Sequence, residues 1–151
     1  MNALLAPWTT PYALPPFDRV APEDYPPAFE AAMAEHRAEI EAIKADVSPP
    51  SFDNTIGALE RAGRSLGRVA AVFYNLAGAH TSDALQAVER EMAPKLADHR
   101  NAIILDEALY ARVAKRPIDP SDHRACLALR PRVIAAITAN RADVNLVKTH
   151  N

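Results

Sequence analysis

Five histidines, His36, His80, His99, His123 and His150, are the side chains best suited to hold a metal ion or move a proton near neutral pH. A helical zinc-protease site sets two imidazoles four residues apart on one face, with glutamate directly after the first. None of the five has a histidine four positions later, and none is followed by glutamate. His36 and His99 fall on apolar helical stripes, where a hydrogen-bonded core role is expected; His80 sits where a helix should end and is expected to serve that terminus. Glu89, Glu91 and Asp98 form an acidic helix face, but without the Glu-x-x-His spacing of a dimetal bundle. Cys126 has His123 three residues before it, a geometry one helix permits, although a buried, inert thiol is the expected reading. Ser65, Ser82 and Ser121 lack a nucleophile-elbow context, and four scattered glycines build no phosphate loop. The residues alone therefore give a helical module with no assembled active site: no catalytic, metal or substrate-contacting residue is assigned.

The chain has 151 residues, 49% of them hydrophobic, 24% charged and 6% aromatic, the balance of a globular domain. Seventeen basic against nineteen acidic side chains exclude a broad phosphate-neutralising surface, so no nucleic-acid partner is expected. A single cysteine excludes an internal disulfide framework. No run approaches the roughly 20 apolar residues of a membrane span, and the N-terminus lacks a basic signal-peptide region. The expected location is cytoplasmic.

Composition shifts along the chain. Residues 1–50 carry 3 basic and 8 acidic side chains and 9 of the 13 prolines; residues 51–116 carry 9 and 8, residues 117–151 carry 5 and 3. Three zones follow: an extended arm over 1–22, a helical body over 23–116 and a differently composed tail over 117–151. In the arm, Pro7, Pro11, Pro15 and Pro16 exclude an α-helix. Leu4, Leu5, Trp8, Tyr12, Leu14 and Phe17 nonetheless make it too apolar for a solvated leader, so it is expected to strap onto the body.

The body predicts helices. From about Pro27, Phe29, Met33, His36, Ile40, Ile43 and Val47 recur at three- and four-residue spacing, with Glu35, Arg37, Glu39, Glu41 and Lys44 facing outward. A second helix is expected from near Asn54, capped by Ser51, Asp53 or Asn54. Its stripe is Ile56, Leu59, Gly63, Leu66, Ala70, Phe73 and Ala77, and Gly78 is its stop. Gly63 and Gly67 inside it suggest close approach of a neighbouring backbone. Thr81, Ser82 and Asp83 open a third helix with the stripe Leu85, Val88, Met92, Leu96, His99 and Ile103, bent at Pro94. Asp106 caps a fourth carrying Leu109, Tyr110 and Val113. In the tail, Ser121 or Asp122 can cap a final helix through Ala125, Leu127, Leu129, Val133, Ile134 and Ile137, interrupted at Pro131. No period-two run occurs, and the fold class is all-α, a proline-rich extended arm packed on antiparallel helices.

The ordered segments LLAPWTTPYALPPFDRV, PSFDNTI and FYNLAGAHT, with the helices between them, resemble the N-terminal region of bacterial peptidyl-dipeptidases over about residues 2–115. These are zinc metallopeptidases of the thimet oligopeptidase family. The resemblance implies a helical wall of a deep channel that admits short peptides, with zinc held elsewhere by an HExxH helix and a later glutamate. This sequence contains no HExxH and ends early by family standards, so this chain is expected to bind no cofactor and to be inactive alone. Short peptides or a missing catalytic lobe are the implied partners, and self-association through exposed apolar stripes is expected. A free-standing module that binds peptides or a partner helix is the alternative reading, and an enzyme acting through His123 and Cys126 is a third.

Overall fold

The computed structural model describes residues 2–115, and it is helical with no strand among them. Helix α1 spans Tyr25–Ala45, α2 Ala58–Arg61, α3 Arg64–Ala79, α4 Asp83–Ile104 and α5 Glu107–Ala114. The proposed tail helix with its Ser121 or Asp122 cap lies outside the described residues. The chain divides into two compact units, each assembled from two stretches of sequence. Of the described residues, the first takes 2–39 together with Gly63–His99; the second takes Ile40–Ala62 and 100–115.

In the first unit the arm is extended between one-turn 3-10 segments at Pro11–Ala13, Phe17–Arg19 and Pro22–Asp24. Proline's fixed φ suits such turns without allowing an α-helix to propagate. Leu4 is fully buried, and Leu5 and Trp8 pack beside it. Arg68 on α3 donates to the Leu5 carbonyl at 2.7 Å and lies over the Trp8 ring, 5.1 Å from its centroid. Asn2 reaches the Asp24 carbonyl at 2.7 Å. Tyr12, Leu14 and Phe17, by contrast, are exposed, and Tyr12 adopts a left-handed φ of 59°.

Helix α1 starts two residues before Pro27. Pro26 and Pro27 fall in its first turn, where no intrahelical N–H is required. Tyr25, Ala28, Phe29, Ala32 and Met33 are its buried face in this unit; two alanines one turn apart let a neighbouring helix approach closely. Val69, Val72 and Phe73 of α3 and Leu85, Val88 and Met92 of α4 complete the core. Phe73 stands edge-on to both Tyr25 (5.0 Å between centroids) and Phe29 (5.5 Å). Burial pushes the Tyr25 hydroxyl above its ordinary pKa, with Asp24 adding to the effect.

The second unit has a smaller core of Ile40, Ile43 and Leu109, packed by Ala58, Leu59, Ala62 and Ile103. Its charged side chains form specific links. Lys44 bridges Glu41 and Asp106, each at 2.6 Å. Asp106 also caps α5 by accepting from the Leu109 N–H at 2.8 Å. The Lys44 hydrogen bond is the main reason that the Asp106 carboxyl lies below its ordinary pKa. Arg112, on α5, is buried and bonds the Asp46 carboxylate at 2.9 Å and the carbonyls of Asp46 and Ser48.

Several sequence expectations shift. Helix α1 ends at Ala45, so Val47 lies beyond it and is 99% exposed rather than part of the stripe. The single second helix is three pieces: a π-helical turn over Phe52–Gly57 capped by Ser51, then α2, then α3 after a break at Ala62 and Gly63. Helix α3 buries Val69 and Val72 beside the expected Phe73, and the expected Leu66, Ala70 and Ala77 pack partly buried against the same core. Gly78 does not stop α3, which runs to Ala79 and is closed by His80. Helix α4 continues through the exposed Pro94 and buries Leu85, Val88, Met92 and His99.

Candidate functional site

Among the described residues, a cluster of interacting titratable side chains in the first unit, around His36 and His99, combines burial with close packing against backbone. Helix α1 carries His36, Arg37 and Glu39 within four consecutive residues, and α4 carries His99. His99 Nε2 lies 3.0 Å from His36 Nδ1, with the ring centroids 5.0 Å apart. Arg37 reaches His99 Nδ1 at 3.4 Å. A guanidinium can only donate, which makes His99 Nδ1 the acceptor. The neutral His99 ring then carries its proton on Nε2 and donates to His36 Nδ1, leaving the His36 proton on Nε2. The tautomers are thus assigned from the bonding pattern.

Desolvation pushes both rings below the ordinary histidine pKa. Glu39 opposes the shift at His36; at His99 the neighbouring His36 and Arg37 reinforce it. Glu39 also accepts from the Gly63 N–H at 2.7 Å, so one carboxylate ties the helix to the turn that separates α2 from α3.

Gly63 is held there by conformation and by space. Its φ is +71°, and a Cβ would sit 2.8 Å from His36 Cε1 and 3.0 Å from its Nε2. The close neighbour is an imidazole, not the backbone that the sequence suggested, and Gly67 has nothing within 4 Å. Gly63→Ala is therefore expected to cost about 2 kcal/mol: roughly 1–2 for the left-handed backbone, plus displacement of the ring. Gly67→Ala, on the open face of α3, is expected to gain about 0.5–1 kcal/mol. Urea unfolding followed by the fluorescence of Trp8, the sole tryptophan, measures both. Equal effects at the two glycines would contradict the packing described.

The other histidines and nucleophiles do not join this cluster. His80 closes α3 through its backbone N–H and is exposed. Glu89, Glu91 and Asp98 are exposed on α4, and Glu91 pairs with Lys95 at 3.0 Å. Ser82 accepts from the Leu85 N–H at the start of α4, and Ser65 lies half-buried in α3. His123, Cys126, Ser121 and His150 lie outside the described residues. Among the described residues, no group of three or more His, Cys, Asp or Glu side chains could hold a metal ion. His36 and His99 each turn a nitrogen to the other, a pair with no third ligand of those types beside it among the described residues. No described helix is long and apolar enough to cross a membrane.

The sequence placed His36 and His99 on separate stripes but gave no sign that they meet. Glu39 and Arg37 were assigned to the outward face, and only the three-residue spacing of His36 and Glu39 hinted at a shared side.

No family model matches the chain. It is similar to the dipeptidyl carboxypeptidase of Escherichia coli K12, 44% identical over 113 residues, which is 75% of this chain and 17% of that protein. It is also similar to the Salmonella typhimurium dipeptidyl carboxypeptidase, 43% identical over 112 residues, 74% of this chain and 16% of that protein. Oligopeptidase A of Salmonella typhimurium is 31% identical over 121 residues, 80% of this chain and 18% of that protein. The chain spans less than a fifth of the length of these relatives.

Proposed function

From the premise that this chain matches the N-terminal region of a thimet-oligopeptidase-family peptidase, we propose that it is a helical channel-wall segment of a zinc-dependent peptidyl-dipeptidase acting on short peptides. Identity of 44% over 113 residues to a dipeptidyl carboxypeptidase carries this reading. The buried positions support it: Leu4 of the arm and Phe29, Phe73 and Met92 of three helices share one core, with polar groups spent on capping and tying helices.

In this reading zinc, which would activate water for peptide hydrolysis, is held by residues that this chain does not supply. Its own residues shape and hold a wall. The partners are short peptides and a catalytic lobe bearing the HExxH helix, in the cytoplasm.

A chimera tests the proposal. The matched segment of the Escherichia coli dipeptidyl carboxypeptidase is replaced by residues 2–115 of this chain, and release of dipeptides from blocked oligopeptides is followed. The expected result is a folded chimera with retained peptidase activity and altered peptide preference, while the 151-residue chain with added zinc is inert. A chimera that folds and binds zinc but cleaves nothing would count against the wall assignment. Hydrolysis by the isolated chain would refute the claim that zinc chemistry lies elsewhere.

A further inference from the structure

We propose that the His36–His99 pair is an acid-released clasp: closed, it fixes the left-handed turn at Gly63, and on taking up protons it lets that turn open. The proposal goes beyond the peptidase reading and does not depend on it.

The bonding pattern makes the clasp sensitive to acid. A neutral imidazole has one basic nitrogen, and here both basic nitrogens are already acceptors. His36 Nδ1 takes the His99 Nε2 proton at 3.0 Å, and His99 Nδ1 faces the Arg37 guanidinium at 3.4 Å. A proton added to His36 Nδ1 points an N–H at an N–H. His99 cannot relieve this by moving its own proton to Nδ1, because that nitrogen would then face Arg37 as a second donor. A proton added to His99 places an imidazolium beside the guanidinium. The first step breaks the bond between the rings, and the second breaks the Arg37 contact and sets like charges close together.

The charged groups facing the pair are Arg37 and Glu39, both from α1; the turn contributes the Gly63 amide, and Arg64 and Arg100 beside these elements are exposed. Glu39 supplies the second half of the device. Its carboxylate holds the Gly63 N–H at 2.7 Å while His36 is neutral. An imidazolium at His36 is a stronger partner for that carboxylate than a backbone amide and competes for it. The His36 ring is also what a Cβ on Gly63 would strike, so movement of the ring uncovers the turn. Glu39, Gly63 and His99 are each the last or first residue of the first unit where the chain passes to or from the second.

The sign of the pH effect follows. Both rings have pKa values lowered from 6.5, so below that pH the unfolded or open form holds more protons than the closed form. Closure is complete above pH 6.5 and is lost as pH falls toward the lowered values. The rings interact, so they titrate as a pair with apparent values.

The test uses the full 151-residue chain. Nitrogen shifts of the imidazoles report tautomer and titration, and hydrogen exchange of the Gly63 amide, corrected for the intrinsic effect of pH, reports the turn. The expected result is a Gly63 protection factor that falls about tenfold between about pH 7.5 and about pH 5, with its midpoint following the ring titration. In His99→Gln, where His36 is the one ring of the pair left to take up a proton, the fall is expected to be smaller. Protection that stays constant while the rings titrate, rings that titrate at or above 6.5, or an unchanged pH profile in His99→Gln would each overturn the proposal. Should His99→Gln fail to fold, the match or mismatch of midpoints in the parent chain decides alone.

Discussion

Replacing Phe73 with alanine is expected to remove about 3–5 kcal/mol from the stability of the first unit. The ring is 1% exposed and stands edge-on to Tyr25, Phe29 and Tyr74, so truncation loses both transfer free energy and three oriented aromatic contacts. The neighbours have little freedom to close the space, because Tyr25 and Phe29 are anchored one turn apart on the same helix and Ala28 and Ala32 are fully buried beside them. A domain of ordinary stability has about 5–15 kcal/mol to lose, so the variant is expected to be largely unfolded at modest urea concentrations. Tyr74, the next residue, is 46% exposed, and Tyr74→Ala is expected to cost below about 1 kcal/mol. Trp8 fluorescence during urea titration reads both variants, and a Phe73→Ala midpoint equal to the parent's would refute the core described.

Arg112→Met is expected to destabilise the second unit by about 2–3 kcal/mol. Methionine fills the space of the aliphatic stem but offers no donor, so the carbonyls of Asp46 and Ser48 lose their partner just after α1 ends. The loss arises mainly from those backbone groups. The Asp46 side chain is 31% exposed and can turn to water, and its carboxyl is held below the ordinary pKa chiefly by the Ser48 N–H. Arg112→Lys keeps the charge but replaces a planar fork with a single ammonium, so an intermediate loss is expected. Hydrogen exchange at the Leu109 and Ile43 amides measures the effect where it occurs. Equal stability of the Met, Lys and parent chains would show that Arg112 ties nothing down.

The helices α1 and α4 were legible because their apolar spacing runs unbroken; Phe29, Met33, Ile40 and Ile43, and Leu85, Val88 and Met92, are buried as the spacing required. The interval from Ser51 to Ala79 was harder. A phase carried across Gly63 selects Leu66, Ala70 and Phe73, which do pack on the core, but misses Val69 and Val72, which α3 buries beside them. Nothing local marks that glycine as a left-handed turn rather than a tolerated helical residue. The cluster was hidden for a related reason. His36 and His99 are 63 residues apart, and Arg112 and Asp46 are 66 apart, so their pairing depends on tertiary packing that no window of sequence contains. Arg112 has the composition of a surface residue and is buried only because distant carbonyls receive it. The kinship with peptidases was readable from ordered local segments, which survive where long-range contacts cannot be inferred.

Neither unit is a continuous stretch of chain, and this governs the order in which the molecule can be made. As the polypeptide leaves the ribosome, the arm and the first half of α1 have no complete core until Val88 and Met92 have followed them out. At roughly 5–20 residues per second, that leaves Phe29 and its neighbours waiting for several seconds. The smaller core waits longer, because Ile40 and Ile43 need Leu109. Both halves thus mature in the same short interval, as residues 88–109 emerge, and a nascent chain stalled before residue 88 should be open to protease along the whole of α1.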